Sequence, residues 1–351
     1  MTYIYACGAK YDGKTRKIKR DGVGKLQLPT GDIYEGEFKE GKRNEYGKFV
    51  YGKEVYYKGE WMNDVRHGSG EEVYPDGSRF QGIWKEGKQA FGTFNWVEDN
   101  MECKYEGGFN GENMDGYGVL FNAKRILEGY WKDNLLEGQG EEKHINSSYH
   151  YTGEWKAGKY HGKGELVNDK GTYRGGFVNG IYEGYGEFIH KDGVIKYKGN
   201  WKNGLFDGSG EYINSNGELY KGNFEKGKRE GYGEMQYSNG LSYKGKWSKD
   251  QKNGKGEARW QDGNFYIGEF KDDRYDGKGK IFSKVSDNCA HIFEGDLKGG
   301  YANGKGTLVK VFEETVNFVL VKSREVYTGD FANGVFDGKV FDKYRLWNLF
   351  I

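Results

Sequence analysis

Glycine pairs separated by one residue are the first pattern in this sequence that could do chemistry. Gly68/Gly70 and Gly162/Gly164 are examples. A Gly-x-Gly turn can cradle phosphate, but it needs a strand before it and a helix N-terminus after it to supply backbone N–H groups. Here the pairs recur along the chain inside strand-like segments, and no helical pattern follows them. We therefore predict no nucleotide site and no cofactor.

The titratable and thiol side chains form no catalytic or metal-binding pattern. His67 and His161 stand directly before glycine pairs, where a turn residue of a repeat is the simpler interpretation. Cys7, Cys103 and Cys289 are odd in number, far apart and without the spacing of zinc ligands. No nucleophile elbow or kinase signature is present. The sequence therefore predicts no catalytic residue and no metal site, and the isolated cysteines favour a reducing compartment.

The segment 220–242, YKGNFEKGKREGYGEMQYSNGLS, shows the element that must position these residues. Tyr220 and Phe224 alternate with polar residues, as on a half-buried strand. A polar turn follows, then a second strand carries Gly231 and Gly233 on one face, and Asn-Gly closes the unit. One unit is therefore predicted to be an antiparallel β-hairpin. We expect the Tyr and Phe or Trp rings of one hairpin to cover the glycine strips of its neighbours.

This unit starts fourteen times, mostly at steps of 22 to 25 residues. The starts are Tyr11, Tyr34, Tyr57, Phe80, Tyr105, Leu127, Tyr151, Tyr173, Tyr197, Tyr220, Tyr243, Tyr266, Phe293 and Tyr327. The predicted structural aromatic spine includes Tyr57, Trp61, Tyr151, Trp155, Tyr197, Trp201, Tyr220, Phe224, Tyr243 and Trp247. The predicted structural glycines include Gly68, Gly70, Gly162, Gly164, Gly231, Gly233, Gly254 and Gly256.

Composition agrees with a thin, ordered repeat protein. The chain has 60 Gly and 2 Pro among 351 residues, and 17% of its residues are aromatic. These values argue against a collagen-like chain and against a disordered one. The formal net charge of +1 gives no support to a basic nucleic-acid binder, so we predict no nucleic-acid partner.

Residues 151–164, YTGEWKAGKYHGKG, resemble the repeat of the MORN (membrane occupation and recognition nexus) family. The resemblance extends over about residues 11–340. It implies an all-β fold, an elongated, solenoid-like, single-layer twisted ribbon of about fourteen consecutive antiparallel hairpins. Some members of the family carry a kinase or methyltransferase domain, and we expect neither domain in this chain. Members that consist of repeats alone are similar to radial spoke head components of motile cilia and to cytoskeletal scaffolds.

Four segments follow from the repeat pattern. We predict an N-terminal cap over residues 1–10, a hairpin array over 11–306, an apolar hairpin insertion over 307–326, and a last repeat with a C-terminal cap over 327–351. Within the array, an insertion at 281–292 lengthens a hairpin or a loop. For 307–326 the alternative interpretation is a surface for partners or self-association. The last residues either cap the final hairpin or form an amphipathic segment that docks elsewhere.

The resemblance and the absence of catalytic motifs favour a non-catalytic scaffold over an enzyme. We expect protein partners in a large axonemal or cytoskeletal assembly, with self-association through the C-terminal end as a candidate. The expected location is the cytoplasm and cytoskeleton, with a cilium or axoneme as the favoured setting. The candidate partner-binding residues are Tyr117, Tyr185, Tyr232, Phe318, Leu320 and Trp347.

The three tyrosines in that set recur between the paired glycines, which is the reason to consider them as anchors. The alternative is compensation for ring volume, because several units with Phe in the spine carry Tyr there, whereas units with Trp carry a polar residue. A second function remains open, a peripheral membrane module that binds acidic phospholipid headgroups. Its candidate contacts form the one dense basic run, Arg16, Lys17, Lys19 and Arg20, although balanced charge makes this function less favoured.

Overall fold

The computed structural model describes residues 2–316, 319–337 and 348–349. These residues form thirty β-strands and no helix, so none of them belongs to a helix long and apolar enough to cross a membrane. The first fifteen strands are β1 (Thr2–Ile4), β2 (Lys10–Arg16), β3 (Lys19–Gln27), β4 (Ile33–Lys39), β5 (Lys42–Val50), β6 (Tyr56–Met62), β7 (Val65–Val73), β8 (Arg79–Lys85), β9 (Lys88–Glu98), β10 (Met101–Asn110), β11 (Asn113–Phe121), β12 (Arg125–Lys132), β13 (Leu135–His144), β14 (His150–Lys156) and β15 (Lys159–Asn168). The other fifteen are β16 (Gly171–Val178), β17 (Ile181–His190), β18 (Lys196–Lys202), β19 (Leu205–Ile213), β20 (Leu219–Glu225), β21 (Lys228–Gln236), β22 (Ser242–Ser248), β23 (Gln251–Arg259), β24 (Phe265–Lys271), β25 (Arg274–Ser286), β26 (Cys289–Lys298), β27 (Tyr301–Val316), β28 (Val319–Ala332), β29 (Val335–Phe336) and β30 (Asn348–Leu349).

The chain forms two compact units, residues 1–169 with 177–180 and residues 170–176 with 181–351. In the first unit β1 to β15 pair antiparallel in chain order. In the second, β17 to β28 do the same, and β29 and β30 both pair with β28. Among the described residues no pairing closes either run, so each sheet is open. The predicted all-β array of consecutive antiparallel hairpins is confirmed, and the fourteen predicted starts lie in the even-numbered strands β2 to β28.

The segments that depart from the repeat lie mainly in longer strands. Residues 281–292 fall at the end of β25 and the start of β26, so they lengthen a hairpin and do not form a loop. Residues 307–316 fall in β27 and residues 319–326 in β28, where Leu320 pairs with Thr315. Two predicted partner-binding residues, Phe318 and Trp347, lie outside the described residues.

A tyrosine ring over two bare glycines forms the centre of each typical hairpin. In β20 and β21, Gly222 and Gly233 are cross-strand partners, and the ring of Tyr220 lies over both. A Cβ atom added to either glycine would lie closer than 3.0 Å to this ring, so no larger residue fits. Tyr220 has no exposed surface. The tyrosine thus covers the glycines of its own hairpin, whereas the sequence predicted that it would cover those of its neighbours.

The tyrosine hydroxyl reaches across these glycines to the main chain. Tyr220 Oη donates to the carbonyl oxygen of Asn223 at 3.0 Å. The register of β20 and β21 shifts between Gly222 and Phe224, so this carbonyl lies where the ladder is interrupted. Burial raises the pKa of Tyr220 to about 12, and the hydroxyl therefore stays protonated as a donor near neutral pH. The same bond is made by Tyr11, Tyr34, Tyr57, Tyr105, Tyr151, Tyr173, Tyr197, Tyr220, Tyr243 and Tyr266.

The two glycines of each Gly-x-Gly pair have different roles. Gly233 lies beneath the tyrosine ring. Gly231, with a φ of +71°, lies in the bulge, where β21 has more residues than the facing part of β20. A β-bulge with a left-handed residue favours glycine, because other residues are strained there. The first glycine therefore shapes the bulge and is not part of a packing strip. Gly68, Gly162 and Gly254 share its positive φ, and Gly70, Gly164 and Gly256 share the place of Gly233.

Edge-to-face ring contacts connect each hairpin to the next. The Tyr220 ring lies 5.0 Å from Phe224 in its own hairpin and 5.5 Å from Trp247 in the following one, with interplanar angles of 80° and 87°. Trp247 Nε1 also donates to the carbonyl oxygen of Gly233 at 3.3 Å. This part of the expectation, that a ring covers the glycine strand of its neighbour, agrees with the structure. All ten residues of the predicted spine are buried.

A second layer on the tyrosine face varies between hairpins. Arg229 stacks over the Trp247 ring at 4.2 Å and donates from Nη2 to the carbonyl oxygen of Asp250 in the next turn at 2.9 Å. In β19 the equivalent position is Phe206, which stacks on Tyr197 with ring centroids 3.7 Å apart. An arginine bridge and an aromatic stack thus cover the spine in alternative ways.

Two carboxylates, Glu72 and Glu142, are buried on the tyrosine face of the first unit. Glu142 is only 4% exposed and accepts hydrogen bonds from Arg125 Nη1 at 2.9 Å and from the Tyr160 hydroxyl at 2.7 Å. His144 Nε2 lies 3.0 Å from the same carboxylate. Burial opposes ionisation of Glu142, but the donors from Tyr160, Arg125 and His144 outweigh it and hold its pKa below the usual range.

We expect Gly233→Ala to lower the free energy of unfolding by about 1–3 kcal/mol, because its Cβ would collide with the Tyr220 ring in a close-packed hairpin. Urea unfolding followed by tryptophan fluorescence measures the change. Gly52→Ala is the control, since a Cβ there meets nothing within 4 Å, and its effect should stay within about 0.5 kcal/mol. Equal shifts in the two variants would contradict the tyrosine–glycine contact.

We expect Glu142→Gln to lower stability at pH 7 by about 1–3 kcal/mol, because it removes a buried, hydrogen-bonded charge. The folded-state pKa of Glu142 is lowered, so its contribution is present above the unfolded pKa and is lost as pH falls through the folded value. The difference from wild type should therefore shrink in urea titrations at acid pH. Glu211→Gln, at an exposed ion pair with Lys221, is the control and should change little. A difference independent of pH would count against an ionised Glu142.

Candidate functional site

The face opposite the tyrosine rings, here called the outer face, carries the residues that vary between repeats. The residue between the two glycines of a pair points to this face, since side chains alternate along a strand. Tyr117, Tyr185 and Tyr232 occupy this position and are 51%, 61% and 50% exposed. They lie away from the buried spine, so they cannot compensate for ring volume inside it. These three tyrosine side chains are therefore part of the exposed surface of the outer face.

The same position is apolar in three further hairpins that the sequence interpretation missed. Val23, Tyr46 and Phe91 are all more than half exposed. Two of them escaped notice because Glu45 and Ala90 replace the first glycine of their pairs. The distance of twelve residues from Tyr34 would have identified Tyr46. At this position the other hairpins carry Ser69, Gln139, Lys163, Ser209, Lys255, Lys278 and Lys305.

In the first unit the exposed apolar side chains form a row across successive strands. Ile83 on β8 is the cross-strand partner of Phe91 on β9, and Tyr117 on β11 is the partner of Tyr130 on β12. These four residues are between 45% and 57% exposed. The strand between the two pairs, β10, presents only Gly108, the partner of Phe91. We call Tyr46, Ile83, Phe91, Tyr117 and Tyr130 the exposed ring row. Large contiguous apolar patches on protein surfaces are a common feature of interaction sites.

Charges on the outer face of the second unit are paired across neighbouring strands. Lys221 Nζ lies 3.0 Å from Glu211, and Lys244 Nζ lies 2.6 Å from Glu234. The hydrogen bond with Glu234 raises the pKa of Lys244. These pairs are about half exposed, so each contributes little to stability.

One residue of the predicted basic run, Arg20, is bound within the fold. Arg20 Nη2 donates to the carbonyl oxygen of Gly41 at 2.8 Å, and its guanidinium stacks over Phe38 at 5.1 Å. Arg16 and Lys19 are cross-strand partners beside the turn. Between them, Lys17 and Ile18 form the turn with φ values of 50° and 63°.

Ile18 is the unusual residue of this turn. It is 94% exposed, and a β-branched side chain in left-handed backbone is strained. Most other hairpins place Gly, Asp or Asn at the equivalent position, for example Gly41 and Asp64. An exposed apolar tip between cations is therefore a local feature of this one hairpin.

No group of three or more His, Cys, Asp or Glu residues within 2–316, 319–337 and 348–349 is placed to hold a metal ion. His150 instead lies 2.5 Å from Glu141, and His144 lies beside Glu142. Cys103 is buried, and burial raises the pKa of its thiol. Among the described residues, these two histidines therefore contact carboxylates, and this cysteine is packed inside the fold.

Comparison with protein families gives one match over most of the chain. The family model described as MORN repeat matches residues 11–33, 34–54, 57–79, 80–101, 128–148, 151–172, 173–195, 197–218, 220–242, 243–265, 266–283, 293–311 and 327–339. The hairpin of β10 and β11 lies between two of these matches, and the structure identifies it as a further repeat. A comparison with curated proteins gives no match.

Repeats of this family are generally non-enzymatic, and they are consistent with a repeat scaffold or a membrane-binding module. These thirteen matches cover more than half of the sequence. The chain therefore belongs to the MORN-repeat family.

Proposed function

We propose that this chain is a non-catalytic structural scaffold that holds partner proteins along its outer face. The observation that carries the proposal is the exposed ring row, together with Tyr185 and Tyr232 in the second unit. Ser69 and Ser209 occupy the same backbone position in hairpins of the same design. Folding therefore does not require a ring there, and tyrosine and phenylalanine are among the residue types enriched at protein interfaces.

The proposed setting is a cilium or axoneme, in a radial spoke-like assembly, or another microtubule-based assembly in the cytoplasm. Support comes from the resemblance of repeat-only members to such scaffolds and from an array that offers many equivalent positions in a row. The partners are other proteins of that assembly, and self-association through the C-terminal end belongs to the same proposal.

The test is purification of the tagged full chain from native cells after cross-linking, with quantitative mass spectrometry. The double variant Phe91→Ser/Tyr117→Ser carries the residue that other hairpins have at this position, and Lys163→Ser is the matched control. We expect microtubule-associated proteins with the wild type and the control, and at least about a tenfold loss of one of them with the double variant, the size expected when an interface anchor is removed. Recovery of membrane proteins alone, or equal recovery with all three forms, would overturn the proposal.

A second candidate function is contact with acidic phospholipid headgroups through the β2–β3 turn. The observation that favours it is Ile18, an exposed apolar tip between Lys17 and Lys19. An apolar side chain flanked by cations suits the boundary between headgroups and acyl chains. Arg20 takes no part, because it is bonded to the turn of the next hairpin.

Flotation with phosphatidylcholine vesicles, with and without phosphatidylserine or phosphoinositide, tests this candidate. We expect Lys17→Glu to reduce binding to acidic vesicles by about fivefold or more, since each cation near such a surface contributes about 1 kcal/mol. Ile18→Gly should also weaken binding, while it relieves the strained turn. Lys226→Glu changes the same charge at the equivalent turn position of another hairpin and should have no effect. Binding lost equally with Lys226→Glu would indicate a general charge effect and reject this turn.

A further inference from the structure

We propose that the outer face of residues 46–130 binds an extended segment of a partner protein, which crosses the strands and inserts two bulky side chains four residues apart. The inference rests on the proposed scaffold function and specifies the partner's chemistry. Two notches interrupt the exposed ring row, one over Ser69 and one over Gly108. Ile83 and Phe91 form a ridge between the two notches. The positions of the notches and the ridge determine which segment fits.

The first notch lies over β7. It is a cavity of about 370 Å³ between the side chains of Tyr46 and Ile83. Ser69, Gly70 and Gly82 form its floor, and Lys58, Glu71 and Gln81 complete its lining. A partner side chain there gains apolar contact from two walls and can also make hydrogen bonds. A tyrosine or tryptophan meets both requirements, because each has a large ring and one polar atom.

The second notch lies over β10. Gly108 is the cross-strand partner of Phe91, and Tyr117 stands on the next strand, so two exposed rings flank a bare backbone. The position is bare for a backbone reason: a Cβ on Gly108 would collide with the carbonyl oxygen of Asp115. A bulky apolar side chain of a partner fits between the two rings, where no side chain of this hairpin can enter.

The spacing of the notches favours an extended segment. They are three strands apart, from β7 to β10, which corresponds to about 14 Å at the usual distance between strands. In an extended chain, residues four apart share a face and are separated by about 13–14 Å. On a helix, residues on one face are about 10.5 Å apart at a spacing of seven and about 16.5 Å apart at a spacing of eleven. An extended segment therefore matches both notches and a helix does not.

The ridge between the notches sets the remaining requirement. Ile83 and Phe91 stand on β8 and β9, midway between Ser69 and Gly108. The residue of the partner halfway between its two bulky side chains faces this ridge and must be small. The strands of the row are already paired with each other, so the segment is held by side chains and not by added strand pairing. The partner motif is thus bulky-x-small-x-bulky.

The experiment is selection of a phage-displayed library of random twelve-residue peptides on the immobilised full chain. We expect the enriched peptides to carry two bulky apolar or aromatic residues four apart with a small residue midway. Ser69→Arg should fill the first notch and weaken the selected peptides at least tenfold in fluorescence anisotropy titrations. Ser209→Arg is the matched control, because it places the same residue at the same repeat position outside this row. Circular dichroism confirms that both variants are folded.

Three outcomes would overturn the inference. They are peptides with helical spacing, binding that Ser69→Arg and Ser209→Arg weaken equally, and a selection that yields no peptide sensitive to Ser69→Arg. The cross-linking experiment on native cells separates this result from the scaffold function. If partner recovery still depends on Phe91 and Tyr117 while the selection fails, the scaffold stands and the extended-segment motif falls. If partner recovery is also independent of these rings, both proposals fail.

Discussion

The contact of one buried tyrosine with two glycines is the constraint on which the rest of this structure depends. Tyr220 lies over Gly222 and Gly233 with no exposed surface, and its hydroxyl binds the carbonyl of Asn223 at the interrupted part of the ladder. The ring thus fills the space that the glycines leave and also satisfies a polar group. A single layer of sheet has no opposing sheet to bury its apolar face, so it must provide its own cover. Here the tyrosines provide it.

The rings also explain how hairpins that would be marginal alone become an array. A two-stranded hairpin is barely stable in water. Tyr220 contacts Phe224 within its hairpin and Trp247 in the next, so each spine ring belongs to two hairpins. Stability in such an array is the sum of repeat and neighbour contributions. The side chains of the outer face take no part in the ring contacts of the buried spine. That separation lets the row from Tyr46 to Tyr130 expose apolar surface while the fold remains intact.

Sequence periodicity could predict the hairpins, their starts and the aromatic spine, because strand alternation and glycine turns are local properties. It could not assign the Tyr220 ring to its own hairpin, since that depends on the register shift beside Gly222. For the same reason it treated Gly231 and Gly233 alike, although only Gly231 has a positive φ. Tyr46 and Phe91 were missed because the glycine before the central residue is absent in their hairpins. The network around Glu142 joins residues from three strands. No regular spacing in the sequence relates these residues, so the cluster could not be predicted.

The choice between Arg229 and Phe206 at the position that covers the spine has a mechanical consequence. Where an arginine bridges to the next turn, as from Arg229 to Asp250, the junction between hairpins includes an ionic link that dissolved salt screens. Where an aromatic ring takes this position, Phe206 stacks on Tyr197 of its own hairpin and contacts Phe224 of the next one at 5.6 Å, so the junction does not depend on an ion pair. Within the second unit, resistance to pulling along the chain is therefore graded. The ionic composition of the surroundings changes the strength of some junctions and leaves others as they are.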